Sequence, residues 1–197
     1  MVSHKTFMKR FVSIISLIFL MCSCSDILFK SPQPLKQERL GVFPNQLVGT
    51  YAFYDDEGQA TLDTFVVKYN SLTFKDLSGE IIFQGQLNKN VYLAQDGNLF
   101  ILSVLDEAKT ENGTPYYSIY ILEQSNNRTF NVLGFETGEE EEVINRLKSI
   151  TPAKFEAIKS ANGVTHRCYL INPTKSQLMK LIYENVAVKF GEIRRVR

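Results

Sequence analysis

Residues 47–69 read Leu47-Val-Gly-Thr-Tyr-Ala-Phe-Tyr54, Asp55-Asp-Glu-Gly-Gln-Ala60, Thr61-Leu-Asp-Thr-Phe-Val-Val-Lys-Tyr69. Two runs rich in β-branched and aromatic residues flank a turn of carboxylates and glycine, which is the pattern of two strands and a connection. The pattern repeats as far as Glu136. Strand-like runs follow at Leu72–Lys75, Glu80–Leu87, Val91–Ala94, Leu99–Leu105, Tyr116–Glu123 and Thr129–Phe135. Between them stand Asp76-Leu-Ser-Gly79, Gln95-Asp-Gly-Asn98, Glu111-Asn-Gly-Thr114 and Ser125-Asn-Asn127. Asp-Gly and Asn-Gly tolerate the positive φ that tight hairpin turns demand. Short connections make successive strands antiparallel neighbours, so residues 47–136 predict a meander of about eight strands. No helix-length segment interrupts it, which excludes a doubly wound parallel sheet.

The pattern changes at Thr137. Thr137-Gly-Glu-Glu140 has the form of a capping box, and Glu139 to Glu142 place negative charge in a first helical turn. Val143, Ile144, Leu147 and Ile150 then recur at helical spacing. Thr151-Pro152 predicts a second short helix, with Phe155 and Ile158 facing inward and Asn162-Gly163 ending it. His166 to Ile171 reads as a strand. Asn172-Pro-Thr-Lys-Ser-Gln177 opens a third helix carrying Leu178, Leu181 and Ile182, and Val186 to Phe190, extended to Ile193, forms a last strand. The fold class expected is α+β, mainly antiparallel β, in a single domain over residues 44–197. The meander forms either a closed barrel or a strongly curved open sheet.

Upstream of the domain, Lys5, Lys9 and Arg10 precede an apolar run from Phe11 to Met21, followed by Cys22-Ser-Cys-Ser-Asp26. The run is about half the roughly 20 residues needed to span a bilayer, so it suits an export signal better than a transmembrane helix. Leu20-Met-Cys-Ser-Cys24 resembles the lipobox of bacterial lipoproteins, with small Ser23 before Cys24. Cys22 fits less well, since bulky Met21 precedes it. The resemblance implies a signal peptide over residues 1–23, cleavage after Ser23, a diacylglyceryl thioether on Cys24 and acylation of its new amino group. It implies export and attachment to a membrane of a Gram-negative cell envelope, the outer one ahead of the inner. Residues 24–43, with Pro32, Pro34 and several charges, are expected to be a flexible tether.

Removing the three basic residues of the signal leaves 19 Lys+Arg against 21 Asp+Glu, about −2 in all. That balance speaks against a nucleic-acid binder. Cys168 would be the one thiol left after signal removal and lipidation, so no intramolecular disulfide is expected. It is expected to be a buried structural thiol.

The start of the meander, Gly49-Thr-Tyr51, resembles the opening Gly-x-Trp of lipocalin-like proteins, with Tyr51 in the place of Trp; the chain has no Trp at all. The resemblance implies a barrel able to hold one small ligand, and an arginine from the last barrel strand packed on the first-strand aromatic. Arg128 is the counterpart in this sequence. An open curved sheet with helices on one face, as in envelope sorting and chaperone lipoproteins, accounts for the same residues.

Few residues suggest catalysis. His166 is the one histidine outside the signal segment, and it shares a strand face with Cys168. Packed neighbours explain this as readily as a catalytic pair does. One histidine and one thiol do not make a zinc site. Asp55-Asp-Glu57 supplies oxygen atoms of the kind calcium takes, but without the EF-hand spacing it reads as turn charge. The Glu139–Glu142 run reads as helix capping. The tail Arg194-Arg-Val-Arg197 reads as a solvated terminus, with contact to anionic headgroups as the alternative. The reading is therefore non-enzymatic, with no cofactor and no metal. The leading expectation is a membrane-anchored protein that binds a small apolar ligand, lipid or peptide through Tyr51, Phe53, Phe65, Phe83, Phe100 and Tyr120. A tethered protein-interaction module using edge strands is the alternative, and a hydrolase using His166 comes last.

Overall fold

A computed structural model describes residues 27–55, 57–76, 78–109, 115–137, 140–159 and 165–196. The signal segment and Cys24 lie outside the described residues, as do the turn 111–114 and Asn162-Gly163.

All eight strands of the meander are present: β2 (Gly49–Tyr54), β3 (Ala60–Val67), β4 (Ser71–Lys75), β5 (Ile81–Gln86), β6 (Val91–Asp96), β7 (Leu99–Lys109), β8 (Pro115–Asn126) and β9 (Thr129–Phe135). Antiparallel registers join β2 to β3, β3 to β4, β4 to β5, β6 to β7, β7 to β8 and β8 to β9. The meander breaks at one place, between β5 and β6. Its two ends are instead bridged by the C-terminal strand β12 (Ala187–Arg195), which lies antiparallel to both β9 and β2. The sheet is therefore strongly rearranged from a simple eight-stranded meander. It is not closed, and it holds twelve strands among the described residues, in the order β5-β4-β3-β2-β12-β9-β8-β1-β11-β10-β7-β6 with β7 and β8 also paired.

The expected tether departs most from expectation. Ile27–Phe29 forms β1, parallel to β11 (Thr165–Ile171) and antiparallel to β8. All three side chains are buried, at 0%, 1% and 0% exposure. The chain then stays on the domain: the Gln33 N–H donates to Ser103 Oγ at 2.9 Å, the Leu40 N–H to the Leu93 carbonyl and the Phe43 N–H to the Tyr69 carbonyl. Apolar burial of Ile27, Leu28, Phe29 and Phe43, about 1.5–3 kcal/mol per large side chain, holds down a segment whose composition suggested a linker.

The second expected helix is a strand. Residues Ala153–Lys159 form β10, antiparallel to β11 over its whole length. Phe155 and Ile158 are spaced for a helix, but Ala153-Lys-Phe-Glu-Ala157 also alternates with period two, and seven cross-strand pairs with β11 decide the matter. The first helix, α1 (Glu141–Ile150), begins later than the capping box suggested. Glu140 is its N-cap, without a side-chain cap bond, and Thr137 is buried ahead of it. The helix α2 (Lys175–Tyr183) starts as expected. Thr174 Oγ1 accepts from the Gln177 N–H, and the Gln177 side chain returns a bond to the Thr174 N–H.

Two cores result. Both helices pack on one side of the sheet, where Leu147, Ile150, Leu178 and Leu181 meet Ile27, Phe29, Ile101, Ile119 and Phe135. The second core fills the inside of the curled meander, around Tyr51, Phe100, Phe130 and Leu93. Strands β7 and β8 divide the two. Leu99 and Ile101 face the helices while Phe100 and Leu102 face the curl, which explains why these strands are apolar at consecutive positions.

Candidate functional site

Inside the curl the second core is incompletely filled. Side chains from eight strands line a half-open cleft of about 90 Å³ whose wall is entirely apolar. Phe53 comes from β2, Phe65 from β3, Leu72 and Phe74 from β4, and Phe83 from β5. Leu102 and Val104 of β7, Tyr120 and Leu122 of β8, and Val132 of β9 face them. Phe190 and Ile193 of β12 complete the ring. In β4, β7 and β8 the paired residues sit two apart, on one inward face; in β12 Phe190 and Ile193 are three apart, with a register shift between Lys189 and Gly191.

Four of the six residues expected to bind a ligand line this cleft: Phe53, Phe65, Phe83 and Tyr120. Tyr51 and Phe100 do not. Both are at 0% exposure in the filled part of the same core, each edge-to-face with Phe130 at about 6 Å between ring centroids. Leu72, Phe74, Leu102, Val104, Leu122 and Val132 carry a signal that was there to read, since each lies two positions from another inward residue. Phe190 carries no such signal, because its place depends on β12 entering between β2 and β9. It also depends on Gly134: a Cβ there would stand 2.0 Å from Phe190 Cε2, so only glycine lets the ring lie across β9.

Tyr51 is held by polar contacts on its outer side. Its hydroxyl donates to the Leu47 carbonyl at 2.9 Å and accepts from Arg195 Nη2 at 3.0 Å. The Arg195 guanidinium also lies over the Tyr51 ring, 5.5 Å from its centroid, and donates to the Gln46 carbonyl. The arginine on the first-strand aromatic is thus Arg195 of β12, not Arg128, which is exposed in the β8–β9 turn. Burial raises the Tyr51 hydroxyl above its ordinary value, with the Arg195 hydrogen bond and charge opposing, so it stays neutral. Arg194 stacks on Tyr54 at 3.9 Å and pairs with Glu192, so neither of these arginines behaves as a solvated tail.

One charged group faces inward on β3. Asp63 is 6% exposed and shares the inward face with Phe65 and Val67. Burial lifts its carboxyl above the usual carboxylate range; a hydrogen bond from Thr61 opposes this and the Asp76 charge adds to it. The folded chain therefore holds this proton more tightly than the unfolded chain. Asp63 contributes more favourably to stability as pH falls through its folded-state value, and its charge is unfavourable at neutral pH. Asp63→Asn is expected to raise Tm at pH 7, with the gap from the parent closing toward a pH of about 4. Thermal melts across that range test this, and a lower Tm for Asp63→Asn at pH 7 would contradict it.

The other candidates are dispersed. Asp55 is taken up by its own turn, accepting from the Gln59 N–H at 2.7 Å. Asp56 lies outside the described residues. Cys168 is buried at 1% exposure beside Leu28, Tyr116 and Leu170. His166 lies on β11, and its side chain is outside the described residues. No group of three His, Cys, Asp or Glu side chains suited to a metal ion occurs among the described residues. Comparison with known proteins finds no matching family model, no matching curated protein and no matching solved structure.

Proposed function

We propose that this is a lipid-anchored envelope protein, held at a membrane through Cys24, that takes one slender apolar group into the cleft inside its curled sheet. The observation that carries the reading is the wall itself: apolar side chains from eight strands converge on one opening with no polar surface among them. Ligand pockets for drug-sized molecules run to about 300–1,000 Å³. A half-open space of about 90 Å³ admits less: the end of an acyl chain or one apolar side chain of a peptide. The rest of such a ligand would lie outside. No step of bond making or breaking is part of this role.

Lipid extraction and native mass spectrometry of the protein purified from membranes test the binding. A non-covalently bound acyl-bearing species is expected in the parent, reduced about tenfold in Val104→Phe, which adds four carbons to the side chain and fills the cleft. Retention of the species at parental occupancy in Val104→Phe, or its absence from the parent, rules the reading out. Cys24→Ser should abolish incorporation of radiolabelled fatty acid and release the protein from the membrane fraction. Continued labelling would remove the anchor from the proposal.

A second reading, a tethered interaction module, draws on β5. This strand ends the sheet, and Ile81 on it is 52% exposed. An unpaired edge of this kind can accept a strand from a partner. Photo-crosslinking from Ile81 in intact cells should then recover one dominant protein, whereas the acyl-binding reading predicts none.

A further inference from the structure

Strand β1 leaves little slack between the domain and the anchor proposed at Cys24. Only Ser25 and Asp26 separate Cys24 from Ile27. Ile27 is already paired in the sheet and is 0% exposed. Three residue steps cover at most about 11 Å of extended chain. With Cys24 lipidated, its glycerol lies among the headgroups and Ile27 lies within that distance of them. A connection this short selects the surface of the domain that meets the membrane, namely the one around the start of β1.

The strand registers say what that surface carries. Ile27 stands opposite Tyr169 in the parallel β1–β11 pair, and Tyr169 stands opposite Phe155 in the antiparallel β10–β11 pair. At about 4.8 Å between neighbouring strands, Phe155 is about 10 Å from Ile27. The Phe155 and Tyr169 rings meet at 5.0 Å between centroids, so both lie on one face of the sheet. It is the face that carries the helices, since Tyr169 packs against the core containing Ile27, Leu147 and Ile150. The helices leave its margin open: Phe155 is 55% exposed, and Ala157, two residues along the same face of β10, is exposed as well. Lys148, in the last turn of α1, holds its ammonium over the Tyr169 ring, 5.4 Å from the centroid. The charges of β10 itself, Lys154 and Glu156, alternate onto the opposite face and pair there at 2.6 Å.

An exposed aromatic ring in an uncharged strip, with a second ring and an ammonium beside it, has the make-up of a membrane–water boundary. Aromatic side chains with one apolar and one wet end collect at headgroup level, and lysines there are drawn to anionic headgroups. A soluble partner is free to dock anywhere on the domain. A bilayer is tied to the place where the chain enters the fold, and the strip lies at that place. We infer that the face of Phe155, Tyr169 and Lys148 rests on the bilayer surface, with the Phe155 ring at the acyl boundary and the Lys148 ammonium among the phosphates. The inference rests on the Cys24 anchor proposed above. It is independent of the apolar cleft, which contains none of these three residues.

The chain has no Trp, so Phe155→Trp supplies a single emitter at a position exposed enough to accept it. Tyr69→Trp, at a 60% exposed residue between β3 and β4, is the reference. Each full-length variant is purified from membranes and reconstituted into vesicles of phosphatidylglycerol and phosphatidylcholine, with or without bromine on the acyl carbons nearest the headgroups. Flotation with the vesicles reports the anchor, and quenching by bromine reports contact with the acyl boundary. Both variants are expected to float. The tryptophan of Phe155→Trp, seated about 5–10 Å into the boundary, should lose half of its emission or more to bromine and show a blue-shifted maximum. That of Tyr69→Trp should keep its emission. Flotation with equal emission losses in the two variants overturns the inference and leaves the anchor standing. Failure of both variants to float overturns the anchor and the inference together. Shielding of Phe155→Trp from a water-soluble quencher, without loss to bromine, means that a protein covers this face and likewise overturns the inference.

Discussion

Replacing Ile27, Leu28 and Phe29 together with serine is expected to abolish the cooperative unfolding transition of this protein. These residues lie at the point where a linker was expected, and substitutions in a linker change stability by less than about 0.5 kcal/mol. Here they form an interior strand of the sheet, paired with β11 on one side and β8 on the other. Ile27 and Phe29 sit in the core beneath both helices, with the Phe29 ring 5.2 Å from Phe135. Leu28 faces the other way, against Tyr116, Ile158 and Leu170. Each large-to-small change in such a core costs about 2–5 kcal/mol. Three of them match or exceed the roughly 5–15 kcal/mol by which a domain is stable. Urea denaturation followed by circular dichroism tests the effect. The control Lys36→Ser with Glu38→Ser, at exposed positions of the same segment, should keep the parental midpoint. A cooperative transition at the parental midpoint in the triple variant would mean that β1 is dispensable.

Gly191→Ala should lower Tm by about 10 °C, the second largest effect expected. β12 carries a bulge: Lys189 is opposite Leu133 and Gly191 opposite Val132, so Phe190 is the extra residue. The bulge aims Phe190 across Gly134 into the cleft and turns the strand so that Glu192 to Arg195 can pair with β2. Gly191 has φ +150°, and a Cβ there would stand 2.2 Å from the Tyr54 carbonyl oxygen and 3.0 Å from Phe53 Cζ. The obstructing atom is backbone in a paired strand, so it cannot move without giving up the Glu192–Tyr54 register. Strained backbone costs about 1–3 kcal/mol, and overpacking costs about 1–3 kcal/mol more. At about 2–4 °C per kcal/mol for a chain of this size, the sum gives the stated shift. Differential scanning calorimetry measures it, and a change of under about 2 °C would show that β12 can bridge β9 and β2 without the bulge. Gly134→Ala meets only the half-buried Phe190 ring, which can give way toward the cleft, and should cost less.

The strands themselves were legible because their causes are local. Alternation of aromatic and β-branched residues sets an inward face, and Asp-Gly or Asn-Gly turns set antiparallel succession. Both act within a dozen residues of each other. Four wall residues of the cleft were legible for the same reason. Tyr51 and Phe100 have the same local pattern, but which inward residues are wholly covered by their neighbours depends on how the strands come together. The helix α2 was legible from the opening Asn172 to Gln177 ahead of Leu178, Leu181 and Ile182. Residues 153–159 were not, since their spacing serves a helix and a strand equally and the choice rests on β11.

What the amino-acid sequence determined by itself is the β character of residues 47–136, the helices α1 and α2 with the strands β11 and β12 at the C-terminus, and the inward face of each hairpin. The export and lipidation pattern ending at Cys24 is likewise a reading of residues alone. What only the tertiary structure decided is the pairing of segments far apart in the chain. It placed β1 between β8 and β11, set β12 between β2 and β9, left the break at β5 and β6, and put Arg195 rather than Arg128 on Tyr51. The physical reason is that hydrophobic patterning tells a strand which face to bury but not which neighbour to bury it against. That choice is made by the packing of the whole molecule, where three apolar residues at positions 27–29 find a gap between two strands and a glycine at 191 lets the last strand bend into place.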